Sequence, residues 1–473
     1  MSEKRTTSET QPARSKKRAG TPRRQLEQGS IPFSTHKQGS LNETDRRQWV
    51  TLVWQLYLAV VAQQGERAPD AADVTVCVPQ LLCTLVFLCC LVKAEPLGDK
   101  LKSLLFCGPP NQDSLLDAAQ YLLNYENDLK IVQNYTAGRR LVLDAYHSKT
   151  YSFNTMRALQ TLRFEVSLLG KFVQKDMRNY QIQWIKNRVE VPEPLEENWL
   201  KFFKLKKTYL EQHKTLIVTN ASCLIVRLHS NAVTERGQIN FSPSEQNVTT
   251  VPAIKVTSVK ESSLYWTNWN TDWMLVRLPT DNKRFRLLLV VAGRNTPDAL
   301  TENSLSYNLI RKFVSADVTS TTTYNTFTAV WLPLFTVVPS TGKAVCYKSL
   351  LEVKLGNQFR NGSLGDLLPE DGCLDDIQQY DILAMQLTNP MRPATKIITE
   401  VTREQLLVGR PFHVIVWDTQ IHLPLVFAFI HSPTTQGPRP VPKPEKSNKK
   451  APISQTSSEH IEEKPRKRKC LLM

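Results

Sequence analysis

The chain has 473 residues, of which 41% are hydrophobic, and this is enough apolar material for a sizeable core, which excludes a wholly disordered protein. Its formal net charge is +16, but the excess lies at the two ends: residues 1–40 contain nine Lys or Arg against three Glu, and residues 434–473 contain ten against four. The body between them is nearly balanced, which disfavours a nucleic-acid-binding body and assigns contacts with anionic surfaces to the tails.

The first segment, residues 1–43, is polar and basic with almost no large apolar side chains. It cannot bury enough surface to offset the entropy of ordering, so we predict a disordered arm. The arm contains no apolar stretch typical of a signal peptide, so we expect a protein that is not secreted. Its basic clusters could act as a nuclear localisation signal or a phosphate-binding arm, and a solvated tail without a receptor is an equal alternative. These clusters consist of Arg14, Lys16, Lys17, Arg18, Arg23 and Arg24.

The folded region is predicted to span residues 44–433. Apolar residues at three- and four-residue spacing from Trp49 to Val60 predict an amphipathic first helix. The next apolar stretch, Val74–Val92, has 19 residues without a charge and is nominally long enough to cross a bilayer. Because Pro79 and Gln80 interrupt this stretch, we favour a short buried strand followed by a buried helix.

No pattern of catalytic or metal-binding residues is evident in the sequence. The nine cysteines and eight histidines lack metal-ligand spacing, so we expect buried reduced thiols, no metal and no cofactor. We place His413, His422 and His431 at strand ends or on the surface. The Ser, His and Asp residues are too scattered to define a catalytic triad, so we predict that the protein is not an enzyme.

Residues Pro411–Pro433 predict two apolar strands joined by a polar turn. Phe412–Trp417 and Leu425–Ile430 are rich in β-branched and aromatic residues, and Asp418–Gln420 separates them. Strands that are apolar on both faces belong inside a larger sheet, so this hairpin must close a fold built from upstream residues.

Further segments in a fixed order resemble the serpin family. The closing hairpin has Pro411, Phe412 and Pro433 at the family positions, and upstream lie a strand with a single polar Asn220 and a strand with Leu-Pro-x-Phe at 332–335. Other matching segments are Phe164–Leu169, a helix containing Trp184, Leu287–Val291, the short helix before Gly356, and the strand Ile377–Leu387. The resemblance implies an α+β serpin-like fold, with eight or nine helices around a large mixed central sheet and two smaller sheets. The chain departs from the family at Val78–Leu81, where the family has Ser-Pro-x-Ser.

The resemblance also implies a reactive loop, and this chain departs from the family there. In an inhibitory serpin the cleaved loop enters the central sheet, and the family hinge is Glu-Glu-Gly-Thr followed by alanines. Prolines in the hinge oppose this insertion because they lack the N–H that a central strand donates to its neighbours. Side chains larger than alanine oppose it as well, since overpacking the sheet core costs about 1–3 kcal/mol per site. The hinge residues that depart from the pattern are Thr388, Asn389, Pro390, Arg392 and Pro393.

We therefore predict a non-inhibitory binding or scaffold protein with an unknown protein partner. The alternative is a serine-protease inhibitor whose bait bond joins Arg403 to Glu404, because this arginine would suit a trypsin-like pocket.

Residues 434–473 contain six prolines and many lysines, which predicts a flexible tether. The last four residues, Cys470, Leu471, Leu472 and Met473, fit the C-a-a-X signal for prenylation, and the terminal Met favours a farnesyl group. They follow Arg466, Lys467, Arg468 and Lys469. Each basic residue adds about 1 kcal/mol of attraction to an anionic leaflet, so lipid and charge together form a two-signal anchor.

These tail residues predict farnesylation of Cys470 by farnesyltransferase, with methylation of the new carboxyl end. The protein would then lie on the cytoplasmic face of a membrane, or at the nucleus or inner nuclear membrane. A nuclear or nucleic-acid-associated adaptor that uses both basic tails is the second alternative.

Overall fold

The structure is a computed structural model that describes residues 41–433 with several internal gaps. The two basic tails, residues 1–40 and 434–473, lie outside the described residues. The internal residues left undescribed are 68–72, 93–95, 109, 111, 133, 145–152, 170–176, 190–214, 245, 260–262, 270–271, 294–299, 316–323, 339–344, 357–358, 360–372 and 388–394.

Eight α-helices and three β-sheets are present in the described residues. The helices are α1 (Glu43–Arg67), α2 (Val78–Leu91), α3 (Leu97–Leu105), α4 (Gln112–Val132), α5 (Phe153–Thr161), α6 (Met177–Arg188), α7 (Tyr307–Ser315) and α8 (Lys348–Leu355). Helix α8 ends at Gly356, whose φ of +75° lies in the left-handed region that favours glycine. The predicted α+β class is confirmed.

The uncharged stretch that begins at Val74 divides into a strand and a helix, as predicted. Strand β1 covers Val74–Cys77, and α2 follows without a break and buries all of its residues except Cys90. Pro79 lies in the first turn of α2, where its missing N–H needs no partner. Within the described residues, no helix has both the length and the apolar character that a bilayer crossing requires.

The seven-stranded sheet is antiparallel throughout and contains the closing hairpin. Its strands in spatial order are β1, β18 (Leu423–Ile430), β17 (Phe412–Asp418), β9 (Phe285–Ala292), β8 (Trp273–Leu278), β7 (Leu264–Asn268) and β10 (Asn325–Phe327). Both hairpin strands have neighbours on both sides, since β18 pairs with β1 and β17 pairs with β9. Every residue of β17 is buried. The predicted closing hairpin is confirmed.

Helix α1 packs its aromatic side chains against this hairpin. The ring centroids of Trp54 and Tyr57 lie 5.3 and 5.5 Å from that of Phe427. The Tyr57 hydroxyl is 2.6 Å from Nδ1 of His413, which is itself surrounded by aromatic rings. The hairpin and the first helix therefore form one apolar core.

The six-stranded sheet is mixed. It contains β14 (Cys373–Gln386), β4 (Thr215–Arg227), β2 (Asn134–Asp144) and β3 (Phe164–Leu169) in this spatial order, with β12 (Thr336–Val337) and β13 (Val345–Cys346) on the other side of β14. Strand β14 is parallel to β4, β4 is antiparallel to β2, and β2 is parallel to β3.

The five-stranded sheet has the order β15 (Ile397–Ile398), β5 (Val233–Ser244), β6 (Asn247–Thr257), β11 (Ala329–Pro333) and β16 (Gln405–Leu407). Its two edge strands, β15 and β16, belong to one short segment of the chain. Strand β15 pairs with β5 at one edge and β16 pairs with β11 at the other, both in parallel. The segment between β14 and the hairpin therefore contributes the edge strand on each side of this sheet.

Candidate functional site at the central seam

The two longest neighbouring strands of the six-stranded sheet, β4 and β14, form a parallel ladder that we call the central seam. Their residues pair from Thr215 beside Cys373 to Arg227 beside Gln386, with one irregularity near Asp376. At the far end, Nε and Nη2 of Arg227 donate to the side-chain oxygen of Gln386 at 3.1 and 3.0 Å. A further strand that entered here would have to part this whole ladder.

Helix α6 covers the outer face of the seam with an apolar cluster. The cluster consists of Trp184, Ile185, Val189, Ala221, Cys223, Tyr380 and Ile382. The indole N–H of Trp184 donates to Glu165 of β3 at 3.0 Å, and Glu165 also pairs with Arg188 at 2.6 Å. A Cβ on Gly138 of β2 would lie only 3.0 Å from the Arg188 side chain, so glycine allows α6 to pack this close. The helix is thus anchored across the seam.

The inner face of the seam carries buried polar side chains. Asp381 of β14 accepts hydrogen bonds from Oγ of Ser222 at 2.5 Å, from the backbone N–H of Cys77 at 2.6 Å and from the side-chain amide of Gln379. The same amide donates to the Cys77 carbonyl at 2.9 Å. All four residues are buried. We call Cys77, Ser222, Gln379 and Asp381 the seam network, and it joins β4, β14 and β1.

Burial raises the pKa of the Asp381 carboxyl group to about 7, and the hydrogen bonds from Ser222, Cys77 and Gln379 offset part of that rise. A further buried hydrogen bond joins the seam to α2, because the Asn220 amide donates to Oγ1 of Thr84 at 2.8 Å. The seam is therefore held by apolar packing on both faces and, on its inner face, also by buried hydrogen bonds.

A buried ion pair lies next to the seam network. Nη2 of Arg139 is 2.6 Å from Oε2 of Glu126, and the Gln80 amide donates to Glu126 and to the Tyr135 hydroxyl at 2.7 and 2.8 Å. The Tyr135 hydroxyl is 3.5 Å from the Cys77 thiol. Burial alone would raise the pKa of Glu126, but the cationic side chains beside it, Arg139 foremost, outweigh burial and lower the pKa. Hydrogen bonds thus connect this pair to the seam.

Most of the residues singled out from the sequence lie outside the described residues. They are the basic residues Arg14, Lys16, Lys17, Arg18, Arg23 and Arg24, the hinge residues Thr388, Asn389, Pro390, Arg392 and Pro393, and the C-terminal residues Arg466 to Met473 with Cys470. Those assignments stay predictions.

The two bait candidates are described, and the structure places them in a turn. Arg403 and Glu404 are both exposed and precede β16. The Gln405 N–H donates to the Thr402 carbonyl at 2.9 Å, and the N–H and hydroxyl of Thr328 donate to the Glu404 carbonyl at 2.9 and 3.1 Å. The peptide bond between Arg403 and Glu404 therefore lies in a turn that is hydrogen-bonded to Thr328, the residue before β11. It does not lie in an extended segment.

His413 lies near a strand end, as predicted, since it is the second residue of β17, but it is not on the surface. This residue lies in β17, is only 4% exposed and has its pKa lowered by burial to about 3. It belongs to the aromatic core, since the strand that carries it has neighbours on both sides and α1 covers its face. His422 lies in the hairpin turn at a φ of 56° and is partly buried.

Sequence reasoning did not find the seam network. The signal was present as polar residues inside apolar strands, namely Gln379 and Asp381 in β14 and Ser222 in β4. Sequence alone does not show that two such strands pair in register. Among the described residues, no group of three or more His, Cys, Asp or Glu side chains is arranged to hold a metal ion.

Comparison with known proteins shows the fold. No protein-family model matches the chain, and no curated protein matches it by sequence. Many solved structures match, and three of them each match 83% of the chain: mouse protein-Z dependent protease inhibitor (TM-score 0.60, 13% identity), native protease nexin-1 with heparin (0.59, 14%) and maspin (0.60, 14%). The match covers 98%, 100% and 100% of those three chains, respectively. The chain therefore has the serpin fold, as the resemblance implied.

Proposed function

We propose that this chain is a non-inhibitory protein with a serpin fold, whose body binds a protein partner and whose C-terminal tail attaches that body to a membrane. The body has no catalytic role in this proposal. The observation that carries it is the conformation of the segment between β14 and the hairpin, in which the Arg403–Glu404 bond lies in a hydrogen-bonded turn and both sheet edges are occupied.

A protease binds the residues around its scissile bond as an extended strand. For Arg403 to lie in an extended strand, the hydrogen bonds from Thr328 to the Glu404 carbonyl would have to break and β16 would have to separate from β11. The hinge sequence supports the same conclusion, because Pro390 and Pro393 cannot donate the backbone hydrogen bonds that a central strand needs.

The membrane part of the proposal is supported by the C-terminal sequence. Cys470 is followed by two leucines and a terminal Met, and four basic residues precede it. A farnesyl chain alone gives only weak, reversible membrane binding, and the basic residues supply the second attraction.

The membrane part is tested by expressing the full chain in cells with a farnesyl analogue. We expect the label in the parent protein and in a variant with Lys467 and Lys469 changed to Gln, and no label in Cys470→Ser. The Cys470→Ser protein should move to the soluble fraction. A Cys470→Ser protein that stays with the membrane, or a parent protein without label, would contradict this part.

Serine-protease inhibition is the second candidate, because one structural neighbour is named as a protease inhibitor and Arg403 is exposed. The two candidates differ when the chain is incubated with a trypsin-like protease. We expect no SDS-stable covalent adduct, whether or not the protease cleaves the chain. An adduct that forms with the parent protein and is lost in Arg403→Ala would establish the inhibitor instead.

A further inference from the structure

The central seam contains a buried carboxyl group, Asp381, whose hydrogen-bond donors among the described residues are all neutral. The three donors to Asp381 are a serine hydroxyl, a backbone N–H and a side-chain amide. Asp381 is 3% exposed. An ionised carboxylate in such a place keeps its hydrogen bonds but loses the solvation that water would provide.

The neighbouring buried cation does not balance this charge. Arg139 is already paired with Glu126 at 2.6 Å, so their two charges cancel. Among the described residues, the other titratable groups in or next to the seam network are Cys77 of β1, Tyr135 of β2 and Tyr347, the residue before α8. Burial raises the pKa of all three, and the charge of Asp381 adds to the rise for Cys77 and Tyr347. At neutral pH all three are therefore uncharged.

Asp381 also lies where a change in its charge bears directly on strand pairing. Its register partner in β4 is Ser222, and the hydrogen bond between these two side chains crosses the seam. Its other partners belong to β1 and to β14 itself. Separation of β4 from β14 would expose the carboxyl group to water, where the ionised form is well solvated.

We propose that Asp381 makes the central seam a proton-controlled latch, which is tight when this carboxyl group is protonated and opens more readily when it is ionised. This control of the pairing between β4 and β14 does not depend on the proposed function, because both strands lie inside the body and neither tail takes part. It gives the body a response to pH near neutrality.

The direction of the pH dependence follows from the pKa of Asp381 in the open seam and in the closed seam. In the open seam the carboxyl group has an ordinary pKa of 3.8, and in the closed seam burial raises it to about 7. The closed form binds the proton more tightly, so the stabilisation is complete below pH 3.8 and is lost as the pH rises through 7. Between pH 6 and pH 8 the opening constant should rise about tenfold, since each pH unit between the two pKa values is a factor of about ten.

Hydrogen exchange of the full chain tests the latch. The measurement compares the amides of residues 218–224 and 379–384 at pH 6 and pH 8, after correction for the intrinsic exchange rate. We expect the opening constant of the parent protein to rise about tenfold. In Asp381→Asn, which stays neutral, we expect less than a twofold change.

The matched control is Asp73→Asn. Asp73 is a partly buried carboxyl group whose pKa desolvation raises to about 6, but it accepts from the backbone N–H groups of His431 and Ser432, outside the seam. This variant should keep the tenfold change. An unchanged opening constant in the parent protein, or the same tenfold rise in Asp381→Asn, would overturn the proposal.

If Asp381→Asn does not fold, infrared spectroscopy of a variant with both Asp73 and Asp375 changed to Asn keeps the proposal testable, because these two carboxyl groups have pKa values raised to about 6 and would otherwise add to the signal. The carbonyl stretch of a protonated buried carboxyl group should be present at pH 6 and should disappear with a midpoint near pH 7. The absence of such a band at pH 6 would show that Asp381 is ionised there, and the latch would be wrong.

Discussion

The closing hairpin and the central seam are both buried pairs of long strands, but different forces hold them together. The hairpin is covered by aromatic side chains of α1, and its strands contribute Val, Ile and Phe to one core. The seam has apolar packing on both faces, but its inner face also contains the buried polar side chains of Ser222, Gln379 and Asp381. Packing volume should therefore govern the first region, and in the second region hydrogen bonds and protonation should add to packing.

The largest effect should come from removing an aromatic side chain under the hairpin. Trp54 is completely buried and touches Tyr57, Trp269 and Phe427. Trp54→Ala should lower the free energy of unfolding by about 3–5 kcal/mol because a large cavity remains. Urea unfolding measures this, with the partly exposed Trp266→Ala as the control. A loss below about 1 kcal/mol for Trp54→Ala would contradict the assignment of this core.

Breaking the buried ion pair beside the seam should have a comparable or slightly smaller effect. Arg139→Met leaves the carboxylate of Glu126 buried with only the partly exposed Lys130, 3.9 Å away, as a cationic partner, so the loss should lie near the lower end of about 3–5 kcal/mol. The double variant Arg139→Met with Glu126→Leu should recover most of that loss, because no buried charge is left. If the double variant is as unstable as the single one, packing of Arg139 and not its charge is what stabilises this region.

The hairpin core should respond to acid through His413. The pKa of this histidine is about 3 in the fold and about 6.5 when the chain is unfolded, so the unfolded chain binds a proton first as the pH falls. The contribution of His413 to stability should therefore decrease below pH 6.5 by about 1.4 kcal/mol per pH unit, against the contribution of opposite sign from Asp381, so the comparison with a His413 variant isolates it. The dependence should be reduced in His413→Gln, which keeps an acceptor for the Tyr57 hydroxyl. Equal slopes in both proteins would contradict the core position of His413.

The two regions also differ in how far the sequence predicted them. The hairpin was predicted because Phe412–Trp417 and Leu425–Ile430 are continuous apolar runs with a polar turn between them, and such patterns are local. The stretch after Val74 was predicted for the same reason, since Pro79 marks the start of a helix.

The seam network was not predicted because it depends on long-range register. Ser222 and Asp381 are far apart in sequence, and their contact requires two strands to pair in one particular alignment. The burial of His413 was not predicted for a related reason: a histidine near a strand start is usually exposed, and only the packing of α1 over β17 buries it. The position of Arg403 in a turn depends on hydrogen bonds to Thr328, which no local pattern reveals.

The smallest effect should come from the exposed end of the seam. Arg227→Ala removes two hydrogen bonds to Gln386, and both side chains are exposed, so the loss should be about 0.5 kcal/mol. Calorimetry can detect it beside the larger loss expected from Asn220→Ala, which removes a buried bond. A loss above about 2 kcal/mol for Arg227→Ala would show that this end controls the opening of the seam.

The melting temperature before and after cleavage of the loop tests the central claim most directly. A recognition sequence for a site-specific protease is inserted between Arg403 and Glu404 so that the segment can be cut at one place, and the intact and cut chains are compared by calorimetry. If the body is non-inhibitory, the cut loop does not enter the seam and the melting temperature stays the same or falls. A large rise after cleavage would mean that the loop inserts between β4 and β14, and the account given for this protein would be wrong.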